Sequence, residues 1–286
     1  MNLKKNSPFY ELDRGNLFGA QQLFREEVKT NPCHHTLHNL GVFYLYEGLM
    51  LNEYKRRSAN FLGLCYLNKA FEKQGTYQNY FGLGVGNFAI NNFPEANQQF
   101  DRAFQTKNSY GSLYNLGVTQ ILQEKYADAS DTLNQCIKQF SEQNEREAFV
   151  AYLYSLSFCN KALCVNCLRT LDDAYVFSSE MDLFAIAYLC EEYPFAVELC
   201  KVMFERWRVD FGVMAMVLNL FLKSGNRKTA ESYLAMQVER LKEFRQYVEM
   251  KRTYELYNNE MYRQEVVSKY RMKFPIIKEN IYFEEV

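Results

Sequence analysis

Small and apolar residues return along this chain in sets spaced i, i+4, i+7, which places each set on one face of a helix. Ala96, Phe100 and Ala103 form one set, and Ala129, Leu133 and Cys136 the next. Gly63, Leu67 and Ala70 precede them. Cys164, Leu168 and Leu171 follow, then Ala196, Cys200 and Met203, then Ala230, Leu234 and Gln237. Ala20, Phe24 and Glu27 fit more loosely near the start. The lead residues of these sets lie 43, 33, 33, 35, 32 and 34 positions apart. A nearly constant period of this length marks a repeat architecture in which each unit is one supersecondary element.

A second pattern precedes the first in three units: Asn39-Leu40-Gly41-Val42, Gly82-Leu83-Gly84-Val85 and Asn115-Leu116-Gly117-Val118. A glycine inside a helix costs about 1 kcal/mol relative to alanine, so Gly41, Gly84 and Gly117 need an offset. Close approach of a second helix supplies one, and the small lead residue of the following helix is the expected counterpart. Each unit therefore reads as a helical hairpin. Turn signals fall where hairpins need them, at Gly15-Asn16, Asn91-Asn92-Phe93-Pro94, Glu192-Tyr193-Pro194 and Ser224-Gly225-Asn226. From Leu40 to Gly63 there are 23 positions, against 13 from Leu83 to Ala96. The additional residues, around 49–60, predict longer helices rather than a loop, because Leu49–Arg57 lacks Gly and Pro. Ser7 is placed to cap a short first helix with Pro8 in its first turn. Beyond Gln237, Phe244, Tyr247, Tyr254, Tyr257 and Met261 recur at helical steps, predicting one long helix to about Lys273, before Pro275.

These features together resemble the tetratricopeptide repeat family, which has a Leu-Gly pair and an aromatic in its first helix and an Ala then a Phe in its second. Residues 77–143 match best, through Tyr80, Leu83, Gly84, Ala96, Phe100 and Ala103, then Leu113, Leu116, Gly117, Tyr126, Ala129 and Leu133. Tyr44 and Pro32 also fit, while the units from residue 144 onward lack the Leu-Gly pair. The resemblance implies an all-α, right-handed α-solenoid of about seven helical hairpins over residues 1–243, with a C-terminal capping helix and tail over residues 244–286.

It also implies that the first helices line a concave groove where ligands bind. The groove positions fall on His38, Phe81, Tyr114, Phe149 and Met181, a turn later on Val85, Val118 and Leu153, and a further turn on Phe88 and Tyr188, with Asn115 beside them. Members that grip a terminal carboxylate use Lys, Arg and Asn there. This chain keeps Asn115 and Asn39 with almost no Lys or Arg, so the expected ligand is an apolar peptide or partner helix held by aromatic anchors. The same stripe also reads as plain core. A third occupant lies in the chain itself: Phe274-Pro275-Ile276-Ile277 and Ile281-Tyr282-Phe283 are apolar enough to fill a groove in cis or, by self-association, in a second copy.

Composition narrows the field. Gly and Pro total 13 and 5 of 286 residues, too few for an all-β sandwich or barrel. The 33 basic and 34 acidic residues nearly cancel, so no nucleic-acid partner is expected. The Lys/Arg-rich stretch from Arg240 to Lys273 reads as the solvated face of an amphipathic cap helix. No window reaches the roughly 18 apolar residues of a membrane span. No signal-peptide-like stretch follows Lys4-Lys5, which predicts a cytoplasmic chain with reduced thiols.

Of the eight cysteines, Cys159, Cys164 and Cys167 form a C-x4-C-x2-C string with zinc-like spacing. However, Cys136, Cys164 and Cys200 fill repeat packing slots, and a structural zinc site needs four convergent ligands. The three histidines, His34, His35 and His38, share one turn without an acidic partner of zincin type. No phosphate-cradling glycine loop is present. No cofactor and no enzyme activity are expected. The leading expectation is a non-catalytic adaptor for a protein or peptide. An intracellular signalling-peptide sensor acting through a partner, or a metalloprotein or enzyme built on the Cys and His positions, stand as rivals.

Overall fold

The structure, a computed structural model, describes residues 7–47, 53–140, 145–171, 173–203, 210–243 and 245–283. Among the described residues it holds sixteen helices and no strand. The chain divides into two compact units, Met1–Ala151 with Phe274–Val286, and Tyr152–Lys273. The expected boundary is residue 243, whereas this division falls after Ala151 and again after Lys273, with residues 274–283 packed on the first unit.

The first unit contains α1 (Pro8–Asp13), α2 (Leu17–Thr30), α3 (His34–Glu47), α4 (Glu53–Lys73), α5 (Tyr77–Ala89), α6 (Phe93–Thr106), α7 (Tyr110–Leu122) and α8 (Tyr126–Gln139). The division falls within α9 (Glu145–Cys159). The second unit contains α10 (Lys161–Arg169), α11 (Asp173–Leu189), α12 (Tyr193–Met203), α13 (Phe211–Lys223), α14 (Arg227–Glu243), α15 (Tyr247–Asn258) and α16 (Glu260–Ser268).

Local chemistry explains the ends. The Ser7 hydroxyl accepts from Tyr10 N–H at 3.2 Å with Pro8 at the first helical position, where its missing N–H costs nothing. Thr76 and Ser109 cap α5 and α7 in the same way. Five hairpins share one turn. Gly15, Asn91, Glu124, Glu191 and Gly225 have positive φ, and the residue after each donates its N–H five positions back along the chain, as Asn92 does to Asn87 O at 2.8 Å. Each of these turn residues stands five positions ahead of a small lead residue, Ala20, Ala96, Ala129, Ala196 and Ala230. The repeat is thus a repeat of turn geometry as well as of packing.

The glycines mark close crossings, but their counterpart is not the one expected. A Cβ on Gly84 would stand 2.6 Å from the Phe100 ring, and one on Gly117 2.6 Å from Leu133. The glycine is a socket for the large apolar residue four positions after the small lead residue. Among the described glycines, only at Gly41 and Gly63 do backbones meet, each with a carbonyl within 3.0 Å of the other's Cβ position. Phe100, Leu133 and Leu67 are fully buried in consequence.

The long second repeat resolves as a longer helix. The α4 helix has 21 residues against 14 in α6 and α8, and its extra turns precede Gly63. Part of the expected extension, residues 48–52, lies outside the described residues. The single terminal helix expected up to Lys273 is instead broken. Arg245 takes φ 55° after α14, and Asn259 caps α16 by accepting from Tyr262 N–H at 3.0 Å. A capping asparagine and a left-handed turn offer the backbone alternatives that helical spacing of aromatics does not reveal.

Candidate functional site

The first helices α3, α5 and α7 present equivalent positions through their shared motif: Asn39, Gly82 and Asn115, each immediately before a Leu-Gly pair. In the structure these three face residues 277–283. That run has neither helix nor strand, so its backbone groups need partners from outside it.

Two side-chain amides supply them. Asn115 Nδ2 donates to the Ile277 carbonyl and its Oδ1 accepts from Ile277 N–H, both at 2.8 Å. Asn39 does the same for Phe283, again at 2.8 Å in both directions. An amide matches a peptide unit in donor and acceptor, so each asparagine replaces one rung of a ladder. The two clamped positions lie six residues apart, a reach of about 20 Å for an extended chain. Two helix-packing steps of roughly 10 Å cover the same distance.

Between the clamps, Tyr46 hydroxyl donates to the Glu279 carbonyl at 2.8 Å, and His38 Nε2 donates to the Ile281 carbonyl at 2.9 Å. His38 is fully buried, and its Nδ1 lies 2.6 Å from Asn79 Oδ1. Burial pushes the His38 pKa down to about 4, outweighing the two oxygen neighbours that favour the charged ring. Burial, with Glu279 nearby, pushes the phenols of Tyr46 and Tyr77 upward, so both stay protonated as donors.

The side chains of the run are also received. Ile281 is buried, and its Cδ1 lies 3.3 Å from the position a Cβ on Gly82 would take. Tyr282 stacks on Phe24 at 6.0 Å and meets Phe9 and Tyr46 edge-on. Phe283 lies against His34, His35 and His38 with ring centres 5.4, 4.2 and 4.9 Å away. The Glu279 carboxylate is bound by the Tyr77 hydroxyl, and by Gly111 N–H at 3.1 Å.

The expected groove residues separate accordingly. His38 and Asn115 touch the run. Phe81, Val85, Tyr114, Val118 and Leu153 are buried; Phe81 packs on Tyr77 and Phe100, and Tyr114 stacks on Tyr110. Phe88, half-buried, meets Phe93 in the following helix. Phe149 is half-buried in α9. In the second unit, Met181 lines a cavity of about 390 Å³ with Gly212 and Arg252, and Tyr188 accepts from Asn219. Tyr46, Tyr77, Gly82 and Gly111 escaped sequence reasoning. Asn39 and Asn115 preceding identical Leu-Gly pairs was the signal available.

The cysteines are free thiols. Cys164 donates to the Leu153 carbonyl at 3.3 Å, and burial raises the Cys136 and Cys200 thiols to about 12. Among the described residues no group of three or more His, Cys, Asp or Glu is gathered as a metal site would require, and no helix is long and apolar enough to cross a membrane.

No protein-family model matches the sequence, and no curated protein matches it. Solved structures do. A tetratricopeptide repeat protein from Parabacteroides merdae superposes with a TM-score of 0.59 at 10% identity, covering 91% of this chain and 94% of its own. PilF of Pseudomonas aeruginosa gives 0.48 at 16% identity, covering 92% and 94%, and the apo form of RapI 0.49 at 14%, covering 92% and 96%. With the helical hairpins, their shared turn and the Leu-Gly crossings already established, the fold of this chain is that of the tetratricopeptide-repeat solenoids.

Proposed function

We propose that this chain is a non-catalytic, cytoplasmic adaptor that binds a protein segment on the α3–α5–α7 face, and that its own residues 277–283 occupy that face in cis. The observation that carries this reading is the pair of asparagine clamps. Side-chain amides that pair with the main chain hold an extended segment whatever side chains it carries, which suits a face that receives different segments. The ligand is a peptide in extended form, with apolar and aromatic side chains at the positions taken by Ile281, Tyr282 and Phe283. His38 and Asn115 are ligand-contacting residues of this face, and the buried aromatics Phe81 and Tyr114 support it from beneath.

The test is binding in trans. A labelled peptide of residues 274–286, titrated into the chain lacking those residues, should bind saturably, and the intact chain should bind it far more weakly. A truncated chain that keeps its helical circular dichroism yet takes up no peptide would exclude this reading.

A further inference from the structure

We infer that the α5–α7 corner of this face is a carboxylate-selecting pocket, and that the partner segment carries an acidic residue two positions before a buried apolar residue and an aromatic pair. This deepens the adaptor reading and rests on it. The occupant in cis shows the register: Glu279, then Ile281, then Tyr282 and Phe283.

Three independent features meet at Glu279. The Tyr77 hydroxyl donates to one carboxylate oxygen and Gly111 N–H to the other, at 3.1 Å. Gly111 lies in the first turn of α7, where unpaired N–H groups and the helix dipole favour negative charge. Tyr77 is oriented by Ser109, the capping residue of α7, 2.8 Å from its hydroxyl. Since Tyr77 gives its proton to Glu279, Ser109 donates to Tyr77. Lys107 Nζ stands 4.8 Å from the centre of the Tyr77 ring and adds positive charge to the same corner. A Cβ at Gly111 would stand 3.0 Å from both Cγ and Cδ of Glu279, so a side chain there would push the carboxylate aside. Both groups that bond the carboxylate are donors, and a glutamine would present an amide N–H to one of them.

The next selecting position is Gly82. The face keeps asparagine at the two outer equivalent positions and glycine at the middle one, where Ile281 enters. A side chain at Gly82 would fill the space of Ile281. The face therefore pairs with main chain along its length and admits the Ile281 side chain at its middle glycine.

The experiment uses the full chain with Ile281→Asp, which weakens its own occupant by placing a charge in a buried site, and labelled peptides of residues 274–286. The unaltered peptide should bind, and its Glu279→Gln version should bind at least about tenfold more weakly, as loss of a charge-assisted contact implies. In the same chain carrying Tyr77→Phe, the ratio between the two peptides should fall toward one while the Gln peptide keeps its affinity. Equal binding of both peptides by the Ile281→Asp chain would overturn the carboxylate pocket and leave the adaptor reading standing. No binding of any peptide by a folded chain would overturn the adaptor reading itself. A concentration-dependent dimer of the intact chain that the peptide dissolves would give the pocket to a second copy and overturn the partner assignment.

Discussion

Both units cover the inner face of their first helices, and they do it with different chemistry. In the second unit α13 is buried along nearly its whole length, from Gly212 to Phe221, and α16 packs on it. The buried Arg263 of α16 donates to Asn219 at 3.4 Å and to the carbonyls of Leu256 and Tyr257 at 2.7 and 3.2 Å. That cover is a helix with its own backbone bonds made, fixed by side chains. In the first unit the cover is a strand-like run whose backbone bonds are made by the face beneath it. The helical cover is fixed by its own side chains; the main-chain cover is the one that the proposed adaptor reading expects to exchange for another main chain. The Leu-Gly pair, present in the first unit and absent from the second, divides the chain along the same line.

Arg263→Met should strike the helical cover hardest. It leaves Asn219 and two carbonyls short of a donor inside the second unit, a loss of about 3 kcal/mol in a chemical denaturation curve. A loss under about 1 kcal/mol would mean that the cover of the second unit is as loosely held as that of the first.

Acid should sharpen the comparison next. His38 folds with a pKa of about 4 against about 6.5 unfolded. The unfolded chain therefore binds a proton first, and stability falls as the pH drops from about 6.5 to about 4, by about 3 kcal/mol at the lower end. The denaturation midpoint of the first unit at pH 7 and pH 4.5 measures this, and His38→Gln should flatten the difference. The second unit contains no histidine and should lack the effect.

Asn39→Ala with Asn115→Ala should loosen the run by about 1–2 kcal/mol for each clamp. Protease cleavage within residues 274–283 should quicken while the helical signal stays constant. If cleavage is unchanged, the amides are not what holds the run. The smallest effect has the opposite sign. The Tyr282 hydroxyl is buried without a hydrogen-bond partner among the described residues. Tyr282→Phe should therefore tighten the run by about 1 kcal/mol and slow the same cleavage.

Much of this was legible in the sequence, and the reason is periodicity. A packing slot that recurs every 33 or 34 residues announces itself, so Ala96, Phe100, Ala129 and Leu133 were found with their helices. Gly84 and Gly117 read as close crossings from the sequence, but not their partners, because spacing along a helix does not say which of two neighbouring side chains leans into the gap. The site was legible only in part. His38 and Asn115 lie on the expected face, whereas Tyr77 and Gly111 matter through Glu279, which is 202 and 168 residues away in sequence. No local pattern carries a contact of that span. The break at Arg245 was hidden for the opposite reason: a single residue in a left-handed turn leaves the helical spacing of its neighbours intact.

Asn39 and the residue that it clamps are separated by 244 positions, and this has a consequence during synthesis. The N-terminal part of the first unit ends at Ala151, past α3, α5 and α7, while the run that covers those helices ends at Phe283, some 132 residues later. At roughly 5–20 residues per second, the ribosome takes about 7–26 s to make that stretch. Throughout that interval the nascent chain lacks the run that covers the α3–α5–α7 face. On the adaptor reading proposed above, a partner met then encounters no competitor, whereas one met later must displace a tethered segment. The order of residues along the chain would thus give the same face two affinities, separated only by time.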